Sequence, residues 1–325
     1  MLNSPAELLR IVNASIEKVA ADNQPNSLYE PIRYVLSLGG KRVRPVLMLL
    51  AYSMFKDNPS EIIDVAIGLE TYHNFTLLHD DLMDNAAMRR GRTTVHRRWN
   101  ANTAILSGDN MLVMAYQYIG KAPKERLPEV LDVFTRTAIQ IDEGQQLDMD
   151  FEQRNDVSEA EYLEMIRLKT SVLLACALKI GAILGEASAD TAAQLYRFGE
   201  LVGLAFQLQD DYLDVFGDPL VFGKAIGGDI VENKKTFMLI KAMECANATQ
   251  RQQLDAWLQT TQSDTAEKIA NITRLYTEIG VDKQAQDRIK AYFDEAERVL
   301  DALPLPEERK RNLRCYVRQM MGRNA

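Results

Sequence analysis

The chain has 325 residues, 46% of them hydrophobic and 26% charged, which is enough apolar material for a large core and excludes a disordered segment. A formal net charge of −8 argues against a nucleic-acid partner, because binding a phosphate backbone needs an excess of Lys and Arg. Glu7, Arg10, Glu17 and Lys18 interrupt any signal-peptide core, no run of about 18 apolar residues could span a bilayer, and the dispersed Cys176, Cys245 and Cys315 suit a reducing, cytoplasmic setting.

Apolar spacing of three and four recurs along the chain and alternation with a period of two is absent, so the expected fold is all-α, without a sheet. A first helix is expected over residues 4–21, where Ser4-Pro5 supplies an N-cap and a first-turn proline. A second, over 27–38, ends at Gly39-Gly40, and a third covers 45–55. The long helix expected over 60–87 carries Asp80, Asp81 and Asp84 near its end, and a polar loop follows over 88–93. After a short helix through Trp99, helical patterns cover 102–119, 128–151, 158–184 and 190–215, the last carrying Asp210, Asp211 and Asp214 near its end. The glycine-rich stretch 217–229 reads as a lid-like loop, and amphipathic helices over 234–246, 250–260, 264–279, 283–300 and 306–320 complete the chain. No Pro-, Gly- or Ser-rich linker divides it, so a single domain over residues 1–325 is expected.

The aspartate clusters carry the chemistry. Both have the spacing DDxxD, and residues i and i+4 of a helix lie about 5–6 Å apart on one face, so Asp80/Asp84 and Asp210/Asp214 each present two carboxylates together. Like charges at that spacing disfavour a helix by roughly 0.2–0.5 kcal/mol, and a cation removes the penalty. Hard oxygen ligands suit Mg²⁺, which is held by one or two carboxylates together with substrate phosphates, so the two pairs are expected to grip a diphosphate through metal. One such box alone reads as a solvated acidic face; two matched boxes do not. The flanking Phe75, Leu77, Leu78, Leu204, Phe206 and Leu208 make each box look like the polar rim of an apolar cavity. Against the acidic background, Lys41, Arg42 and Arg44, then Arg89, Arg90 and Arg92, suggest a site for a small anion.

With these elements the chain resembles the trans-isoprenyl diphosphate synthases, the polyprenyl synthetase family that includes farnesyl and geranylgeranyl diphosphate synthases. Besides both boxes the resemblance includes Gly39-Gly40-Lys41-Arg42-Val43-Arg44-Pro45, His73, Arg89-Arg90-Gly91, Lys169-Thr170, Gln207, Lys224, Gly228-Asp229-Ile230 and Lys234-Lys235-Thr236. It implies a single-domain bundle of long helices around a central cavity (the isoprenoid synthase fold), usually a homodimer. It implies further that Asp80, Asp81, Asp84, Asp210, Asp211 and Asp214 bind Mg²⁺, three ions per active site with substrate bound. Arg89, Lys169, Lys224 and Lys234 then resemble the contacts of an allylic diphosphate, Lys41, Arg44, His73 and Arg90 the pocket for isopentenyl diphosphate, and Thr170 and Gln207 positions facing the reacting carbons. The implied reaction is chain elongation: ionisation of the allylic diphosphate, attack by the isopentenyl double bond, and loss of a proton to the released diphosphate. No nucleophilic Ser or Cys is required, and His79 and His96 receive no catalytic role.

Product length is expected to depend on the helix before the first box, where Thr76 and Tyr72 stand one and two turns before Asp80 with Phe75 beside them. Thr76 leaves room, whereas Tyr72 and Phe75 supply bulk for a floor. In the family an aromatic pair before the box accompanies farnesyl products; Phe75-Thr76 departs from it, so a product of fifteen or twenty carbons is expected. Two rivals use the same fold: a class I terpene cyclase, for which a second DDxxD and the Lys41/Arg44 segment are superfluous, and a noncatalytic regulatory subunit, for which degraded boxes are expected. A helical di-iron protein would need Glu-x-x-His pairs.

Overall fold

The computed structural model describes residues 4–218, 226–260 and 265–322. Helix α1 (Pro5–Ile16) starts as its sequence dictates: Ser4 Oγ accepts from the Glu7 backbone N–H at 3.3 Å and Pro5 occupies the first turn. It is followed by α2 (Asn26–Ser37), α3 (Val43–Ser53), a short 3₁₀ turn (Pro59–Ile62) and α4 (Ile63–Met83). The helix expected to reach residue 87 stops at Met83, because Asp84 caps it and Asn85 turns left-handed at φ 52°.

The segment expected as a loop over 88–93 is a hairpin, which corrects the expectation of no sheet. Strand β1 (Met88–Arg89) pairs antiparallel with β2 (Arg92–Thr93). Arg90 and Gly91, at φ 51° and 73°, fill the two left-handed positions that a two-residue turn requires. Strands of two residues are too short to leave an alternating pattern.

The remaining elements are α5 (Val95–Arg98), α6 (Ala101–Ile119), α7 (Leu127–Glu152), α8 (Glu159–Ile166), α9 (Val172–Leu184), α10 (Ala189–Phe216), α11 (Gly228–Val231), α12 (Phe237–Cys245), α13 (Ala248–Gln259), α14 (Thr265–Ile279), α15 (Val281–Ala302) and α16 (Glu307–Met321). Among the described residues the fold is therefore all-α apart from the hairpin, as expected.

The chain forms two compact units. One comprises Met1–Thr135, Cys176–Leu195 and Pro304–Leu313; the other comprises Arg136–Ala175, Tyr196–Leu303 and Arg314–Ala325. In the first unit α3 is apolar on every side and accordingly lies inside, with Val46, Leu47, Met48, Leu49, Leu50 and Ala51 all buried. Its N-terminus is tied down by Arg42, which at φ 48° donates to Glu70 Oε1 at 2.9 Å and to Leu36 O at 2.6 Å.

In the second unit Tyr162, Met165 and Ile166 of α8 pack with Leu204 and Leu208 of α10, Phe237 to Ile240 of α12, and Ile272, Leu275 and Tyr276 of α14. The helix expected over 158–184 is interrupted by a π-helical turn (Arg167–Ser171). Two neighbouring helices make room for it with glycine: a Cβ on Gly144 would overlap Lys169 N, and one on Gly203 would overlap Ser171 Cα. Turns of this kind inside a helix recur at functional sites, and this one carries Lys169 and Thr170.

Candidate active site

In the first unit the last turn of α4 presents the first box. The Asp84 N–H donates to Asp80 O at 2.9 Å, closing one turn between the two carboxylates, with Asp80 half-buried and Asp84 exposed. Asp81 is buried instead, and β1 brings Arg89 back onto it: Arg89 Nε donates to Asp81 Oδ1 at 2.6 Å and Nη2 reaches Asp80 Oδ2 at 3.4 Å. Burial pushes the Asp81 carboxyl up and the Arg89 guanidinium pulls it down. Arg89, expected to contact a diphosphate directly, is thus clasped by the box.

The expected anion pocket assembles in the same unit. Arg44 Nη1 lies 3.0 Å from His73 Nε2, so the guanidinium donates and the imidazole accepts. Burial and the surrounding Arg44, Arg90, Arg89 and Arg42 hold His73 well below its ordinary value, hence neutral. Among the described residues the buried Arg44 Nε has no hydrogen-bond partner, and burial lowers the guanidinium to about 10. Glu70 offsets part of that cost, and an anion joining the half-buried guanidinium would offset more. Arg90 donates to Gly39 O, which docks the hairpin turn on the glycine pair, and Lys41 is exposed beside it. The third basic residue, Arg42, is committed to Glu70, with both side chains only 3% exposed, and Asn74 Nδ2 also donates to Glu70 Oε1 at 3.1 Å.

Of the three residues expected to bound the product, Tyr72 is 1% exposed and packs edge-on against Phe134 at 5.2 Å between centroids and tilted against Phe75 at 5.5 Å. Phe75 and Thr76 are half-buried; Phe75 meets the His79 ring at 4.8 Å, and the Thr76 hydroxyl donates to His73 O at 2.8 Å.

In the second unit α10 carries the second box, with Asp210 and Asp214 half-buried and Asp211 buried. Both carboxylate oxygens of Asp211 are used: the Tyr162 phenol donates to Oδ2, and Gln207 Nε2 donates to Oδ1 at 3.2 Å. The Thr170 hydroxyl donates to Gln207 Oε1 at 3.2 Å, and Lys169 Nζ pairs with Asp148 Oδ2 at 2.5 Å. The N-terminus of α11 closes on the box, since the Asp229 N–H donates to Asp214 Oδ2 at 3.0 Å. Burial is the largest cause that pushes Asp211 up to about 6 and Asp229 up to about 7; hydrogen bonds from Tyr162 and Gln207 pull Asp211 back, and Lys234 opposes both shifts. Lys224 and the middle of the expected lid lie outside the described residues.

Asp148, Asp229 and Tyr162, which the spacing argument missed, contact expected site residues and join the candidate site. Asp229 had a signal in its Gly-Gly-Asp context; Asp148 and Tyr162 sit in ordinary amphipathic pattern. Among the described residues no three His, Cys, Asp or Glu side chains converge to cage a metal. The donor set fits a divalent cation of the Mg²⁺ kind all the same: it offers carboxylate pairs, leaves coordination to water and phosphate, and raises acid pKa values that a cation would lower.

Comparison with known proteins agrees with this chemistry. The family model for polyprenyl synthetase matches residues 25–276. The geranylgeranyl diphosphate synthase of Methanosarcina mazei is 43% identical over 235 residues, covering 72% of either chain. A crystal structure of a geranylgeranyl pyrophosphate synthase superposes with a TM-score of 0.95 at 41% identity over 100% of both chains. Another, the Corynebacterium glutamicum geranylgeranyl pyrophosphate synthase complexed with isoprenyl diphosphate and magnesium, gives 0.85 at 28% identity over 98% of each chain. The fold is the all-α isoprenoid synthase fold, and the chain belongs to the polyprenyl synthetase family.

Proposed function

We propose that this member of the polyprenyl synthetase family is a short-chain trans-prenyltransferase that condenses isopentenyl diphosphate with an allylic diphosphate (dimethylallyl, geranyl or farnesyl). Farnesyl and geranylgeranyl diphosphate are its candidate products, and the names of its relatives favour the twenty-carbon one. The observation that carries the reading is the Arg44–His73 pair, where among the described residues a buried guanidinium nitrogen has no partner. It supports a second anion site besides the aspartate boxes, which a condensing enzyme needs and a cyclase does not.

In this reading Asp80 and Asp84 of one unit, and Asp210 and Asp214 of the other, would hold Mg²⁺, with Asp81 and Asp211 bound behind them, and three Mg²⁺ per active site are proposed. When bound, the metal neutralises charge developing on the departing diphosphate. Lys169, Lys234, Arg89 and Lys224 add cationic charge on the allylic side; Lys41, Arg44, His73 and Arg90 hold the second diphosphate, and neutral His73 accepts from Arg44 to aim its guanidinium. The allylic C–O bond breaks and its electron pair leaves with diphosphate. The isopentenyl double bond then forms the new C–C bond, and a proton is lost to the released diphosphate. Thr170 and Gln207 face the reacting carbons.

Residues 1–325 act as one polyprenyl synthetase domain. Exposed Ile105, Leu106 and Val113 on α6 support a homodimer. Among the described residues no helix is long and apolar enough to cross a membrane, and the free cysteines support a cytoplasmic setting. Incubation with Mg²⁺ and each allylic diphosphate, with and without isopentenyl diphosphate, followed by chain-length analysis, tests the reading. Elongation only with isopentenyl diphosphate is expected, and products formed without it would mean a cyclase.

A further inference from the structure

We propose that Tyr162 is a positioning residue for the reaction, acting through Asp211 and Gln207 on Thr170; the proposal rests on the reading of Thr170 as facing the reacting carbons. Tyr162 lies on α8 and is 2% exposed. A capping box sets the start of that helix, with Ser158 Oγ accepting from Glu161 N–H while the Glu161 carboxylate accepts from Ser158 N–H. The ring packs among apolar neighbours, Met165, Ile166 and Phe237 included, which phenylalanine would satisfy equally well. Packing therefore does not account for the hydroxyl. A buried hydroxyl is costly unless hydrogen-bonded, and its partner here is Asp211 Oδ2.

The bond has a directional consequence. A carboxylate only accepts, so Asp211 turns the donor end of the Gln207 amide, Nε2, toward its Oδ1. Gln207 must then turn Oε1 toward Thr170, and the Thr170 hydroxyl donates to it. A hydroxyl has one proton and two lone pairs. With the proton directed at Gln207, Thr170 Oγ1 offers any further neighbour lone pairs alone. An electron-rich oxygen held in that sense suits a carbon on which positive charge develops, and a hydroxyl free to rotate would lose that advantage. Tyr162 supplies the fixed end of the chain: by gripping Oδ2 it holds the Asp211 carboxylate in the rotamer that presents Oδ1 to Gln207.

The test is Tyr162→Phe, which removes one oxygen and leaves the packing. The kcat should fall roughly ten- to hundredfold, the range for loss of a charge-assisted hydrogen bond, while KM for either diphosphate changes less than about threefold. The side-chain amide resonance of Gln207, identified by its absence from the spectrum of Gln207→Glu, should shift in the substrate-free variant. A kcat within about twofold of the parent, or a Gln207 amide at its parent position, would overturn the proposal. Should the phenylalanine variant fail to fold, fluorotyrosine at position 162 keeps the ring and strengthens the donor. The Gln207 amide must then shift, and an unmoved resonance is again fatal. Because the amide readout needs no turnover, a parent protein inactive with prenyl diphosphates would refute the proposed function while the spectra still decide the Tyr162 linkage.

Discussion

Arg42 and Arg44 stand two residues apart in one basic motif, and replacing each by alanine should have opposite consequences. Arg42 Nη1 pairs with Glu70 at 2.9 Å, both side chains being 3% exposed, and Nη2 donates to Leu36 O. Arg42→Ala takes the direct ion-pair partner from the buried Glu70 carboxylate and leaves the Asn74 amide donating to it, and breaking a buried pair from one side costs about 3–5 kcal/mol. Arg44 instead meets the His73 ring; among the described residues its Nε has no hydrogen-bond partner, and burial already disfavours its charged form. Arg44→Ala should therefore stay within about 1 kcal/mol of the parent in stability.

For affinity the order reverses. A charge-assisted hydrogen bond contributes about 1.5–3 kcal/mol, and about 1.4 kcal/mol is a factor of ten, so Arg44→Ala should raise KM for isopentenyl diphosphate roughly ten- to hundredfold. KM for the allylic substrate should hardly change. Urea unfolding supplies the stability arm, and initial rates with one substrate varied at a saturating level of the other supply the affinity arm. An Arg44→Ala protein destabilised like Arg42→Ala, with an unchanged KM for isopentenyl diphosphate, would refute the assignment of Arg44 to substrate and Arg42 to the fold.

Asp80→Ala or Asp210→Ala should lower turnover by orders of magnitude yet leave helical circular dichroism intact, since each removes a half-buried carboxylate and no packed apolar group; near-parental Mg²⁺-dependent condensation by either would remove the metal assignment. Tyr72→Ala should lengthen the product seen by chain-length analysis and cost about 3–5 kcal/mol, because it deletes a buried ring packed on Phe134. Phe75→Ala, at a half-buried site, should cost less, and unchanged product lengths in both variants and in the double variant would place the floor elsewhere. A pH series tests the second box. Asp211 and Asp229 have carboxyls raised to about 6 and about 7 that return to 3.8 on unfolding. The unfolded chain thus binds fewer protons, and the stabilisation from these groups is lost as pH rises between about 4 and about 7. In EDTA, stability by urea titration should fall between pH 5 and 8, whereas saturating Mg²⁺ with inorganic diphosphate should flatten the slope; equal slopes in both conditions would contradict the electrostatic account.

The parts of this molecule that were legible in sequence are those whose physics is periodic or local. Ser4-Pro5 announces α1 because a cap is a contact between neighbours, and DDxxD announces two carboxylates on one face because helix geometry alone sets that distance. The hairpin of Arg89 to Arg92 was missed because two residues per strand leave no alternation, yet that hairpin carries Arg89 onto Asp81 and Arg90 onto Gly39. The π turn at Lys169 was missed for a different reason: its cause lies on other helices, at Gly144 and Gly203, where absent Cβ atoms make room for the bulging backbone. Contacts between residues far apart in sequence likewise separate Arg42 from Arg44 and set Asp211 apart from Asp210. One basic motif contains a cation buried against Glu70 and a cation proposed for substrate, and one acidic motif contains carboxylates proposed as metal ligands and a buried acceptor. The difference lies in which side chain meets a partner such as Glu70 or Tyr162 that the motif itself does not contain. Motif spacing can therefore nominate all the charges of such a site, but assigning each its task requires the partner's position in the fold.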